Sequence, residues 1–156
     1  MARRLSASRR SPSRIRFAVV VSRFNDFITN NLLEACLDEF SRLGISRPAL
    51  EVVSVPGAFE LPVTALLLAR KKNIEAVICL GAVIKGQTAH YELVAAETAR
   101  GLQSVALATG KPVVFEVLVA DTIELCAARA RKGDRDNKGA CAARTAFEMG
   151  PLLKGL

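Results

Sequence analysis

The stretch Ala76-Val77-Ile78-Cys79-Leu80-Gly81-Ala82-Val83-Ile84-Lys85-Gly86-Gln87-Thr88-Ala89-His90 decides the fold. It begins as a short, continuously apolar run rich in Val and Ile, the pattern of a strand buried on both faces. It then passes Gly81 and Gly86 and reaches His90, the single histidine of the chain. Beyond it, Tyr91, Val94, Thr98, Leu102 and Val105 recur at helical spacing and run toward Gly110. Strand, glycine loop and helix in that order make one βα unit. In an open parallel sheet such loops lie at the carboxyl ends of the strands, where ligands collect.

Working outward, the same unit recurs. Phe17 to Val21 reads as a buried strand, followed by the polar turn Ser22-Arg23-Phe24-Asn25-Asp26, with Asn25 or Asp26 as helix N-cap. Ile28, Leu32, Cys36, Phe40 and Leu43 keep helical spacing, and Gly44 ends that helix. Leu50 to Val55 is a second strand stopped by Pro56-Gly57, and Glu60 to Lys72 a second helix. Val113 to Val119 is a fourth strand. Asp121-Thr122 then caps a fourth helix, with Glu124 three residues after Asp121 as in a capping box. A charged loop from Arg131 to Asn137 leads to a last helix near Lys138, which Gly150-Pro151 should stop or kink. Four βα units and a terminal helix predict one doubly wound α/β domain, its four-stranded parallel sheet covered by helices on both faces.

The totals agree. A chain of 156 residues is expected to form one domain. Hydrophobic residues are 51% but aromatics only 5%, with no Trp, which suits a close-packed Ala/Val/Leu interior and not an aromatic cage. Arg3, Arg4, Arg9, Arg10, Arg14 and Arg16 precede Phe17, and removing those six from the net +7 leaves about +1 for the rest. The basicity is therefore an arm, residues 1–14, expected to be flexible and solvated, and no nucleic-acid partner is expected. It lacks the apolar core of a secretory signal and is short for an organelle transit peptide. No run approaches a membrane span. Cys36, Cys79, Cys126 and Cys141 stand singly, without metal-ligand spacing, and read as reduced thiols of a cytoplasmic protein.

Three strand-end loops should meet at one sheet edge. The first offers Phe24. The second, Val55-Pro56-Gly57-Ala58-Phe59-Glu60, presents backbone amides and a carboxylate. The third, Lys85-Gly86-Gln87-Thr88, offers amides and a hydroxyl near a helix N-terminus, a natural anion site. His90 can exchange protons beside it. Neither a Walker A nor a GxGxxG pattern is present, which argues against nucleoside triphosphates and dinucleotides. A lone His or Phe is more often structural, so the signal is their convergence.

Together these residues resemble the lumazine synthase family. The resemblance is carried by Arg23-Phe24-Asn25, by Val55-Pro56-Gly57-Ala58-Phe59-Glu60-Leu61-Pro62, and by Gly81 through Tyr91. Ile123-Glu124, Arg129-Ala130, Asn137-Lys138-Gly139 and Ala146-Phe147-Glu148-Met149 follow in order. It implies a flavodoxin-like fold and the condensation of 5-amino-6-(D-ribitylamino)uracil with 3,4-dihydroxy-2-butanone 4-phosphate. The products would be 6,7-dimethyl-8-ribityllumazine, phosphate and water. It implies no cofactor and no metal, and a functional link to riboflavin synthase.

The resemblance also assigns residues. Phe24 would stack on the pyrimidine, with Val83, Ile84 and Lys85 at its edge. Ala58, Phe59 and Glu60 would bind the ribityl chain. Gly86, Gln87 and Thr88 would hold the phosphate with Arg129 of an adjacent subunit. Phe115 would close the pocket from that neighbour, with Lys138 close by, and His90 would move protons. The sites would thus lie between subunits of a homo-oligomer. Arg131 to Asp136 makes the loop one residue longer than is usual in the family, which favours a pentamer over a sixty-subunit shell. A plastid location is the alternative if the source is eukaryotic. The rival class is a non-catalytic flavin- or lumazine-binding assembly protein, separated from the enzyme by turnover.

Overall fold

Residues 16–156 are described in the computed structural model, so the arm of residues 1–14 lies outside them. The elements are β1 (Arg16–Ser22), α1 (Asp26–Arg42), β2 (Leu50–Val55), α2 (Leu61–Ala69), β3 (Ile74–Ile84), α3 (His90–Thr109), β4 (Val113–Ala120), α4 (Ile123–Arg129) and α5 (Lys138–Lys154). The strands pair in the order β2-β1-β3-β4, all parallel. This is the expected three-layer α/β/α arrangement.

Burial follows position in the sheet. In β1 every residue from Phe17 to Ser22 is buried, and in β3 every residue from Ile74 to Val83. These are the two central strands, and continuous burial is why they carry no polar alternation. Successive side chains still point to opposite faces. Phe17, Val19, Ile78 and Leu80 face α1, α4 and α5, where the Phe17 and Phe40 rings lie 4.8 Å apart. Ala18, Val20, Val77 and Cys79 face α2 and α3, meeting Leu61, Leu68 and Leu102. Cys36, Cys79 and Cys126 are buried and Cys141 half-buried, all as free thiols.

Two close approaches depend on glycine. A Cβ at Gly81 would sit 3.1 Å from Val117 and 3.4 Å from Leu61. A Cβ at Gly139 would sit 1.9 Å from the Leu32 carbonyl oxygen, so α5 meets α1 only because that side chain is absent. The α1 helix ends as expected at Gly44, which has φ +81°. There the Ile45 N–H donates to the Phe40 carbonyl and the Gly44 N–H to the Ser41 carbonyl, closing a Schellman motif.

Several boundaries differ from expectation, each for a long-range or geometric reason. The α2 helix runs only from Leu61 to Ala69, preceded by a 3₁₀ turn over Ala58–Glu60. Its far end is cut short because Lys111 Nζ takes the carbonyls of Lys71 and Ile74, turning the chain into β3. The cap of α4 is Thr122, whose Oγ1 accepts the Leu125 N–H at 3.3 Å, so no Asp121–Glu124 box forms. Nor does Gly150-Pro151 stop α5, which continues to Lys154. Gly150 packs on Glu75 and Phe17, and one turn later Lys154 pairs with the buried Glu75 carboxylate, holding the last turn in place. Pro151 removes one backbone donor from a helix anchored on both sides of it.

Candidate active site

The chain leaves β1 toward β2 on one side and then crosses back to β3 on the other, so the switch point lies between β1 and β3. A cleft of about 430 Å³ opens at their carboxyl ends. It is built from three loops in turn.

The first loop is stitched to both neighbours. The Arg23 N–H donates to the Val55 carbonyl at 2.8 Å and the Phe24 N–H to the Pro56 carbonyl at 3.1 Å. Asn25 adopts φ 59°, a left-handed conformation that Asn tolerates better than most residues. It stands at the N-cap position of α1, yet its side chain does not cap. Its Nδ2 donates instead to the Ala82 carbonyl of β3 at 2.8 Å. Thr29 Oγ1 donates to the Ser22 carbonyl at 2.7 Å, fixing the strand end. So fastened, the Phe24 ring is 70% exposed above the cleft, which is not how a core phenylalanine sits.

In the second loop the Gly57 N–H donates to Glu60 Oε2 at 2.9 Å, so the carboxylate is held by one oxygen. Thr98 Oγ1, fully buried on α3, donates to the Ala58 carbonyl at 3.2 Å and fixes the 3₁₀ turn. Phe59 is 61% exposed beside it. The third loop leaves β3 with the Lys85 N–H on the Ala120 carbonyl at 3.0 Å. Gly86, Gln87, Thr88 and Ala89 then cross in the open to the head of α3, where His90 is exposed.

The structure therefore brings Phe24, Ala58, Phe59, Glu60, Val83, Ile84, Gly86, Thr88 and His90 together around one cleft. Lys85 and Gln87 belong to the same loop but do not line it. The Lys85 ammonium turns to Asp121 at 3.7 Å. Gly57, Ala82, Tyr91 and Val94 also line the cleft. Tyr91 and Val94 were expected on the packed face of α3. Spacing identified that face correctly but does not tell where the sheet beneath it ends.

Three candidates lie elsewhere in the chain. Phe115, on the edge strand β4, is 41% exposed and lines a separate groove with Leu107, Pro112 and Met149. Arg129 closes α4, its Nη1 donating to the Leu125 carbonyl at 2.8 Å. Lys138 opens α5 near Glu116, whose carboxyl is pushed up to about 7 by burial, against the opposing pull of Lys138.

The cleft offers an exposed aromatic face, a partly engaged carboxylate, and a glycine-containing loop at a helix start with a histidine. That set suits a flat ring, a hydroxylated chain and an anion. The sequence matches the family model described as 6,7-dimethyl-8-ribityllumazine synthase over residues 14–154. It is 49% identical over 140 residues to a protein of Syntrophus aciditrophicus (strain SB) named 6,7-dimethyl-8-ribityllumazine synthase, covering 90% of each chain. Fold order, loop motifs and near full-length match converge, and the chain belongs to the 6,7-dimethyl-8-ribityllumazine synthase family.

Proposed function

We propose that the chain catalyses the condensation of 5-amino-6-(D-ribitylamino)uracil with 3,4-dihydroxy-2-butanone 4-phosphate to 6,7-dimethyl-8-ribityllumazine, in sites shared between adjacent subunits. The observation that carries this reading is the cleft itself, in which Phe24 is clamped by the Arg23 and Phe24 backbone N–H groups and the Asn25 side-chain amide and yet left exposed. Phe24 stacks on the pyrimidine, whose edge meets backbone groups of Val83 and Ile84. The Ala58 and Phe59 backbone and the free oxygen of Glu60 take the ribityl hydroxyls. Gly86, Gln87 and Thr88 take the phosphate.

The amine of the pyrimidine attacks the ketone, and the carbinolamine loses water to give an imine. Proton loss from the hydroxyl-bearing carbon beside the imine expels phosphate from the next carbon and leaves an enol. The enol takes up a proton to become a methyl ketone, and the second amine adds to that carbonyl and closes the ring with loss of water. His90 carries protons between these positions. The amine is already a nucleophile and phosphate a good leaving group, so orientation supplies much of the acceleration, up to ~7–11 kcal/mol in favourable cases.

Arg129, Phe115 and Lys138 complete the site from the adjacent subunit. Two exposed apolar regions support that arrangement. One lies on the helices that follow the cleft loops, with Phe27 on α1, Val63 and Leu67 on α2 and Leu93 on α3, and the other flanks β4 with Leu107, Val119, Ile123 and Leu125. Different patches meeting head to tail generate a ring, and the family resemblance favours a pentamer over a sixty-subunit shell. The product is the substrate that riboflavin synthase would consume. A cytoplasmic location fits the reduced cysteines. Among the described residues no helix is long and apolar enough to cross a membrane.

The test is turnover by purified protein with both substrates and EDTA, followed by lumazine absorbance. Formation faster than the spontaneous reaction is expected. Arg129→Ala should raise KM for the phosphate-bearing substrate roughly a hundredfold, the upper range for losing charged hydrogen bonds. No acceleration over the spontaneous rate would refute the reading.

A further inference from the structure

Between Arg129 and Lys138 the chain is held by a network that touches neither residue. Residues 131–137 pass through two turns, with the Asn137 N–H on the Asp134 carbonyl at 3.1 Å. Asn137 Nδ2 donates back to the Arg131 carbonyl at 3.1 Å, and its Oδ1 accepts the Gly139 N–H at 2.8 Å, so both ends of the loop share one side chain. Arg144, nearly two turns into α5, reaches over this loop. Its Nη2 donates to the Arg135 carbonyl at 2.9 Å, and its Nη1 donates to Glu39 Oε1 at 3.0 Å.

Glu39 lies on α1, only 7% exposed, and its Oε2 accepts Arg42 Nη1 at 3.2 Å. Hydrogen bonding from Arg144 above all, and from Arg42, holds its carboxyl below the ordinary glutamate range. Burying a carboxylate is costly unless it is paired in good geometry. Here the pair spans α1 and α5 and spends its second guanidinium arm on a loop carbonyl. Because a guanidinium is a rigid planar fork, seating one arm on Glu39 fixes where the other holds Arg135. The neighbouring α4 has seven residues, with Cys126 buried within it and Ala130 buried just beyond it, so Arg129 ends the helix two residues before the loop that Arg144 holds.

We propose that Arg144, seated on Glu39, is a positioning residue that sets the 131–137 loop and thereby the presentation of Arg129 to the phosphate-bearing substrate. This rests on the assignment of Arg129 to the adjacent subunit's cleft. Arg144 touches no substrate. Its effect is on the phosphate-bearing substrate, the one assigned to Arg129.

The experiment is steady-state kinetics on the intact oligomer for R144Q and R144K, alone and combined with R129A, with melting curves alongside. R144K keeps the charge near Glu39, and so the fold, but lacks the planar fork that fixes a second donor on the Arg135 carbonyl once the first is seated on Glu39. Both variants should raise KM for the phosphate-bearing substrate roughly tenfold, as expected when a charged group is displaced by a fraction of an ångström to an ångström. The KM for the pyrimidine should stay near wild type, and in the R129A background R144K should add nothing. Parallel changes in both KM values, no change in either, or an R144K effect that multiplies fully with R129A would overturn the proposal. Should R129A alone leave KM for the phosphate-bearing substrate unchanged, the site reading fails first and the positioning role with it.

Discussion

The cleft at the ends of β1 and β3 and the edge formed by β4, α4 and the start of α5 are built on different principles. Around the cleft the first loop is tied to the second and to β3, and the second to α3, by backbone and side-chain hydrogen bonds, and Phe24 stands exposed on that fastened backbone. At the edge, Phe115 and Val119 stand open, and Arg129, exposed, donates to the Leu125 carbonyl of its own helix. What holds the edge in place lies behind it: Gly139 against Leu32, and Arg144 on Glu39. One side of the molecule is a fastened cleft, and the other is a set of exposed groups on a rigid backing. A chain with both features makes sense if each side serves a different copy.

Breaking the backing should cost most. Gly139→Ala would drive a methyl into the Leu32 carbonyl, so α5 must shift from α1. A loss of about 3 kcal/mol in chemical denaturation is expected, at the upper end for overpacking. Wild-type stability would show that the close approach is not rigid.

Breaking the cleft should act on a different quantity. Phe24→Ala removes the stacking face and should raise KM for the pyrimidine roughly tenfold, in line with ~1–3 kcal/mol for a base on an aromatic ring. The melting temperature should hardly move, because the ring is not in the core. A large fall in stability with unchanged KM would make Phe24 structural.

The smallest effect sharpens the contrast at β4. Burial raises the Glu116 carboxyl to about 7 from its ordinary 4.5. Between those values the folded chain keeps a proton that the unfolded chain has lost, so stability should fall as pH rises through this window. Glu116→Gln should flatten that slope in melting temperatures taken across it. A slope identical to wild type would mean that the carboxyl is open to water.

Much of this was legible beforehand because the central strands write their double burial as unbroken apolar runs. Gly44, Gly110 and Thr98 likewise fell where helix periodicity put them. The departures from local pattern share a cause. The Asn25 side chain bonds β3, α5 survives Pro151 because Lys154 reaches Glu75, and α2 stops early because Lys111 takes its following carbonyls. Each is decided by a partner at least 37 residues away, which local pattern does not carry. In the site, the strand-end motifs picked out Phe24, Ala58, Phe59, Glu60, Gly86, Thr88 and His90, which line the cleft, together with Lys85 and Gln87, which do not. Phe115, Arg129 and Lys138 came only from family resemblance, since nothing local relates them to a cleft in another copy.

The most direct test of the shared site is to mix two crippled subunits. One carries Phe24→Ala with His90→Asn, and the other Phe115→Ala with Arg129→Ala. Co-expressed with different tags and purified as hybrids, they should recover turnover, since random pairing in a ring leaves about a quarter of the interfaces with both halves intact. Turnover no higher than the average of the two separate variants would mean that each chain works with its own residues alone, and would contradict the division of labour between cleft and edge.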